Sequence, residues 1–310
     1  MADKRWRLLV YLFWCGLAVL IMLAWMQRLL IYHPTKSNDL RAENVEVPQA
    51  VVDVHVTTHD NLRLNGWLAL AGQKRSAKVP DVTQLLSQGR PLVIIFPGNG
   101  GHRAMRQYLL QALGLLGADV MIFDHRGFGD NPGKPTESQL IKDAQAIWKY
   151  ATEDLKVPPQ RIVLYGESLG GGVASRLAGD LGTKGIEPGG LVIQASFDSL
   201  VSAGKYHFPI LPVSLILIDR FESAKYIAKS KCPILHLHGE LDRVVPITLG
   251  KRLFQAAPEK STSGVPKQLV VLPRTNHNDV FGPDLRLVMT ALRDFLAGVE
   301  TRAKVVPKVK

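Results

Sequence analysis

Residues 166–170 read Gly-Glu-Ser-Leu-Gly and follow the apolar run Arg161-Ile-Val-Leu-Tyr165. Small, helix-compatible residues come next, Gly172-Val-Ala-Ser-Arg-Leu-Ala178. A buried strand running into a Gly-x-Ser-x-Gly turn and then a helix is the layout of a nucleophile elbow. The serine of such a turn stands exposed on strained backbone, and glycines on either side leave room for the neighbouring strand and helix. Ser168 is therefore the candidate nucleophile. Taken alone, the five residues are equally a glycine-rich strand–helix turn.

A serine hydroxyl needs a base within hydrogen-bond reach, and the base needs a third group to fix its tautomer. Two loops offer them. After the apolar run at 233–237 comes His238-Gly-Glu-Leu-Asp242-Arg-Val-Val-Pro246, and after the run at 268–272 comes Pro273-Arg-Thr-Asn-His277-Asn-Asp279. Asp242 and His277 each fall just past a strand end, where reactive groups of parallel sheets collect. Glu240 and Asp279 compete as the acid by proximity, and Asp198 is held in reserve. Oxyanion donors are expected from the loop Pro97-Gly-Asn-Gly-Gly-His102, through the backbone N–H of Asn99, and from that of Leu169. This loop lacks the Gly-x-x-x-x-Gly-Lys spacing of a phosphate cradle. Asp124-His-Arg-Gly-Phe-Gly129 reads as a structural turn near the site.

The elements that must position these residues follow from the apolar pattern. Residues 51–58 alternate and 62–70 return after His59-Asp-Asn61, forming a hairpin. Short continuous apolar runs at 92–96, 118–123, 162–165 and 191–195 are each followed by a helical pattern, and runs at 233–237 and 268–272 complete the series. Such alternation specifies an α/β fold with a parallel sheet covered on both faces. The last helix reads from 285 to 296. Residues 72–90 hold no clear element. Residues 197–230, with Tyr206, Phe208, Pro209 and the stretch Val213 to Ile218, break the rhythm and form either a cap over the site or an ordinary crossover helix.

Ahead of this domain, residues 8–26 carry no charge. About 19 residues rising 1.5 Å each cross about 30 Å of hydrocarbon. Trp6, Tyr11, Trp25 and Tyr32 lie near the ends, as interface aromatics do. A cleaved signal peptide is the alternative, but no small-x-small cleavage site follows the run. The expectation is an anchor over 1–32, a catalytic domain over 33–300 and a basic tail over 301–310. Lys4, Arg5 and Arg7 flank one side and Arg28, Lys36 and Arg41 the other; the counts tie, and the tighter N-terminal cluster with its α-amino group gives the expectation of an N-terminus in the cytoplasm and a domain outside it.

The chain has 310 residues, 46% of them hydrophobic and 21% charged, which is ample for a packed core. Its formal charge of +11 fits an anionic membrane surface or a solvated basic protein. No zinc, helix-turn-helix or RNP pattern supports nucleic-acid binding. The two cysteines, Cys15 and Cys232, offer neither a disulfide framework nor a metal spacing.

Pro97-Gly-Asn-Gly-Gly101, Asp124-His-Arg-Gly-Phe-Gly129, Gly166-Glu-Ser-Leu-Gly-Gly171, His238-Gly-Glu-Leu-Asp242 and Asn276-His277-Asn-Asp279 occur in that order. Over roughly residues 45–300 the chain resembles the α/β-hydrolase superfamily, in particular the membrane-anchored Bem46-like and serine-aminopeptidase-like hydrolases. The resemblance implies an eight-stranded, mostly parallel sheet with an antiparallel second strand. It also implies a nucleophile–acid–base order of Ser168, Asp242 and His277, and esterase, thioesterase, lipase or peptidase activity without a metal or cofactor. A single-pass protein of a bacterial inner membrane is expected. Pro97 stands where many relatives have histidine, and Asp130 where many have a small residue. The functional expectation is a serine hydrolase acting on acyl esters, with activity rising with pH as an imidazole base gives up its proton. The rival is a membrane-tethered hydrolase-fold scaffold without catalysis.

Overall fold

The computed structural model describes residues 2–74 and 81–305. Residues 306–310, the end of the expected basic tail, lie outside the described residues.

Eight strands form one sheet: β1 Gln49–Thr57, β2 Arg63–Lys74, β3 Leu92–Phe96, β4 Asp119–Phe123, β5 Ile162–Glu167, β6 Gly190–Gln194, β7 Ile234–Gly239 and β8 Gln268–Leu272. Their spatial order is β8-β7-β6-β5-β3-β4-β2-β1. Strand β2 runs antiparallel to both β1 and β4, and the pairings from β4 across to β8 are parallel. The expected hairpin and antiparallel second strand are both present. Continuous apolar runs become strands buried on both faces: every residue of β3, β4, β6 and β7 is buried. At the edge, β1 keeps the alternation of a half-exposed strand.

One apolar cluster fills each side of the sheet. Leu68, Ile94, Leu164 and Ile193 face one, and Trp67, Ile95, Tyr165 and Val192 face the other. Helix α1 spans Ala2–Ile31, and the helices of the domain include α2 Gln107–Leu115, α3 Glu137–Lys149, α4 Leu169–Thr183, α5 Leu200–His207, α6 Val213–Ile216, α7 Ile247–Ala256 and α8 Leu285–Val305.

The chain builds β3 and β4 in one direction and then crosses back to β5. That reversal makes a switch point between β3 and β5, where the loops leaving the two strands diverge and open a crevice. Phe96 at the end of β3 is in register with Gly166 at the end of β5, so the loop after β3 lies beside the elbow.

Helix α1 carries a stretch of mean hydropathy 2.4, none of it buried, long and apolar enough to cross a membrane. Its C-terminal end does not float free. Ile31 and Tyr32 are buried, and His33–Pro34 pairs in parallel with Gly100–Gly101. Residues 72–90, where no element was expected, contain the end of β2 and a short helix, Val82–Leu86, whose cap Asp81 accepts from the Gln84 N–H at 3.1 Å.

Candidate active site

Ser168 sits between β5 and α4 with φ 52° and ψ −114°. A positive φ on a non-glycine residue costs energy and persists only where the surroundings impose it. Packing imposes it here. A Cβ on Gly170 would collide with the Phe96 carbonyl oxygen, and one on Gly166 would lie 2.5 Å from the Gly171 Cα. The Ser168 N–H donates to the Gln194 carbonyl at 2.8 Å, and the Ser196 hydroxyl donates to the Ser168 carbonyl at 2.7 Å. The turn is thus clamped from the neighbouring strand.

Three side chains distant in sequence meet at this point. His277 Nε2 lies 3.0 Å from Ser168 Oγ, and His277 Nδ1 lies 2.7 Å from Asp242 Oδ2. A carboxylate only accepts, so Nδ1 carries the proton and Nε2 is left to accept the serine O–H. Asp242 is buried, and its other oxygen accepts the N–H groups of Val244 and Val245 at 2.9 and 2.8 Å. These bonds hold the carboxylate in place for the imidazole. The competing acids lie elsewhere. Asp198 pairs with Arg252 at 3.2 Å and accepts from Ser202 Oγ at 2.9 Å. Asp279 caps its own turn by accepting from the Asn276 N–H, and Glu240 is exposed.

Ser168, Leu169 and Asn99 border a cavity of about 310 Å³. Leu169 opens α4, so its N–H is among those with no acceptor within the helix. The rest of the lining is mostly apolar, with Phe197, Leu200 and Phe208 from the segment after β6 and Val244 and Val245 from the acid loop. His207 Nε2 lies 2.8 Å from the Val244 carbonyl and ties the two walls together. Among the described residues no cluster of His, Cys, Asp and Glu is arranged to hold a metal ion.

The family model for serine aminopeptidase, S33, matches residues 87–205. The uncharacterized protein Rv2307c of Mycobacterium tuberculosis is 39% identical over 277 residues, covering 89% of each chain. The lysophosphatidylserine lipase ABHD12 of Danio rerio is 30% identical over 236 residues, covering 70% of this chain and 61% of that one. The Pyrococcus furiosus esterase Pf2001 superposes with a TM-score of 0.62 at 20% identity, covering 86% of this chain and 97% of its own, a likeness of fold. This chain belongs to the α/β-hydrolase superfamily.

Several residues around the triad brace the site of this hydrolase. Arg106 clamps the elbow to the loop after β3: its Nε donates to Glu167 at 2.6 Å and its Nη2 to the Gly100 carbonyl at 3.1 Å. Asn99 is held from the other side, its carbonyl accepting from the His33 N–H and its Nδ2 donating to the Ile31 carbonyl, both at 2.9 Å. His125 Nε2 lies 2.9 Å from the Pro97 carbonyl. Burial pushes this imidazole down to about 4, so it is neutral and donates to that carbonyl. Asp124 and Asp130 both accept from the buried Arg103, at 2.6 Å each. Asp130 is a second counter-charge for that guanidinium. The turn Asp124–Gly129 is therefore a brace, as the sequence suggested.

Behind Asp242 stand two buried imidazoles. His238 Nε2 lies 2.8 Å from the Val245 carbonyl and 3.5 Å from Asp242 Oδ2. His238 Nδ1 lies 3.3 Å from His236 Nε2. Burial pushes both imidazoles down, so both are neutral. His238 donates to Val245 and, through its other nitrogen, accepts from His236.

Proposed function

We propose that this protein is a membrane-anchored serine hydrolase that cleaves acyl esters. The observation that carries the reading is the continuous path from Ser168 Oγ through His277 to Asp242, 3.0 and 2.7 Å per step. Ser168 Oγ bonds to the ester carbonyl carbon while its proton passes to His277 Nε2. The N–H groups of Asn99 and Leu169 are assigned to the oxyanion. Collapse breaks the bond to the leaving alkoxide, which takes the proton from Nε2 and departs as the alcohol. Water then attacks the acyl-enzyme by the same route, giving the carboxylic acid and free serine. Asp242 holds the imidazole throughout.

Residues 33–300 act as the catalytic unit, 197–230 as its cap and 1–32 as the anchor. An uncleaved anchor is favoured by the way Ile31 and Tyr32 are buried against the domain. The tighter cluster of positive charge at the N-terminus supports a domain outside the cytoplasm. The match to a lysophosphatidylserine lipase makes a lipid ester the first substrate class to try.

A fluorophosphonate probe tests the reading. Native protein labels and Ser168→Ala does not; equal labelling of the two overturns the assignment. Labelling of the native serine with no turnover of any ester points instead to the scaffold role.

A further inference from the structure

The cap carries apolar side chains that face outward. Ile210 is 95% exposed and Leu215 86%, and Phe208 and Ile218 are also exposed. A soluble surface seldom gathers such residues in one segment. The position of this segment accounts for them. Gln27 Nε2 donates to the Ile216 carbonyl at 3.2 Å, and the Ile218 N–H donates to Gln27 Oε1 at 2.6 Å. Arg28 Nε pairs with Asp219 at 3.2 Å. The outward-facing tip of the cap is thereby fixed at the level of the last turns of α1, directly after the charge-free run ends at Met26. Trp25, Leu29 and Leu30 of α1 are exposed at that level. The cap patch therefore continues the apolar surface of the helix.

The same junction borders the reactive serine. Leu23, Gln27, Leu30 and Ile31 of α1 line the cavity that reaches Ser168, opposite Leu211 and Ile216 of the cap. At about 310 Å³ the cavity lies at the small end of ligand pockets, room for one acyl chain rather than two. We propose that the cap tip, residues 208–218, is seated in the bilayer beside α1, and that the cavity takes a single acyl chain from the lipid phase through the gap between them. The substrate class is a single-chain ester amphiphile whose carbonyl stands at the membrane surface. This rests on the serine-hydrolase reading and names the substrate for that site. The last turns of α1 are then part of the substrate-binding wall.

Two measurements on the full chain in phosphatidylcholine vesicles test the proposal. The first compares long-chain monoacylglycerol embedded in the vesicles with water-soluble 4-nitrophenyl acetate. The double variant Ile210→Glu/Leu215→Glu alters only exposed positions outside the cavity. It is expected to lower monoacylglycerol turnover by about tenfold or more, while acetate turnover stays within about twofold. Equal loss on both substrates, or none on either, overturns the proposal. The second reads the surface without activity. A fluorophore on Leu215→Cys in a Cys15→Ser background is quenched by lipids brominated along the chain. Cys232 is buried, and burial pushes its thiol up to about 12, so it does not compete for the label. Absence of quenching means that the patch faces water or a protein partner and overturns the proposal. Should Ser168→Ala match the native rate on both esters, the serine-hydrolase reading fails while the quenching still decides the surface.

Discussion

Asp242 shows how much of a reactive side chain's behaviour is set by its neighbours. Its two oxygens divide the work: one accepts from His277 at 2.7 Å, and the other is held by two backbone N–H groups. Asp242→Asn preserves the size of the group but presents an amide that can donate to Nδ1. The imidazole is then held in the wrong tautomer, with its proton on the nitrogen facing the serine. The expected outcome is a fall in kcat of about 10⁴-fold with the fold intact. Ester hydrolysis measured alongside the thermal unfolding midpoint checks it; a loss below about tenfold would mean that another group orients His277. Arg106 and Arg103 work through position instead. Each is buried and neutralised by carboxylates, and each ties a loop that borders the serine to the rest of the fold. Removing one partner of such a pair leaves a buried charge without compensation.

The elements explain why the sequence disclosed so much of the site. Strand β3 begins and ends where its apolar run does, because a strand buried on both faces writes its limits into composition. Strand β7 continues through His238 to Gly239, past the expected end at Leu237, because a neutral imidazole with two partners is tolerated in the core. Helix α8 extends to Val305 rather than 296, since buried Val299 continues its inner face. What the sequence does not show are contacts between segments remote along the chain: Arg106 on Glu167, His33 beside Gly100, Gln27 on the cap. None has a local period. The elbow itself was legible because its glycines are required by close approach. Gly170→Ala places a methyl group against the Phe96 and Pro97 carbonyl oxygens. That is expected to cost about 3 kcal/mol and to displace the loop that carries Asn99. Gly100→Ala, with nothing within 4 Å of its added Cβ, is the control and should cost under about 1 kcal/mol. Denaturation of both variants in detergent measures the difference; equal cost would remove the packing explanation of the motif.

At the scale of the molecule, three neutral imidazoles buried within or beside the sheet make the fold sensitive to acid. His125, His236 and His238 are all pushed below their ordinary value by burial, His125 to about 4. His125 lies among the Pro97 carbonyl, the Arg106 guanidinium and the Glu167 carboxylate, with burial the largest influence on it. Its ordinary value is about 6.5, so between about 6.5 and 4 the unfolded chain binds a proton that the folded chain refuses. More protons on the unfolded state mean that stability falls as pH falls through this window and is fully present above it. At about 1.4 kcal/mol per unit, His125 alone accounts for about 3 kcal/mol of that loss. Burial raises the carboxyls of Asp119 and Glu137, which works in the opposite sense as they take up protons in the folded state. The native curve therefore mixes both signs, and the comparison with His125→Asn isolates the imidazole. The amide can still donate to the Pro97 carbonyl but does not titrate. Unfolding free energy in detergent, followed from pH 8 to pH 4, should decline more steeply for the native protein than for His125→Asn, and only below about pH 6.5. Parallel curves would show that His125 is protonated to the same extent in both states, and the brace it forms beneath the Asn99 loop would then need a different account.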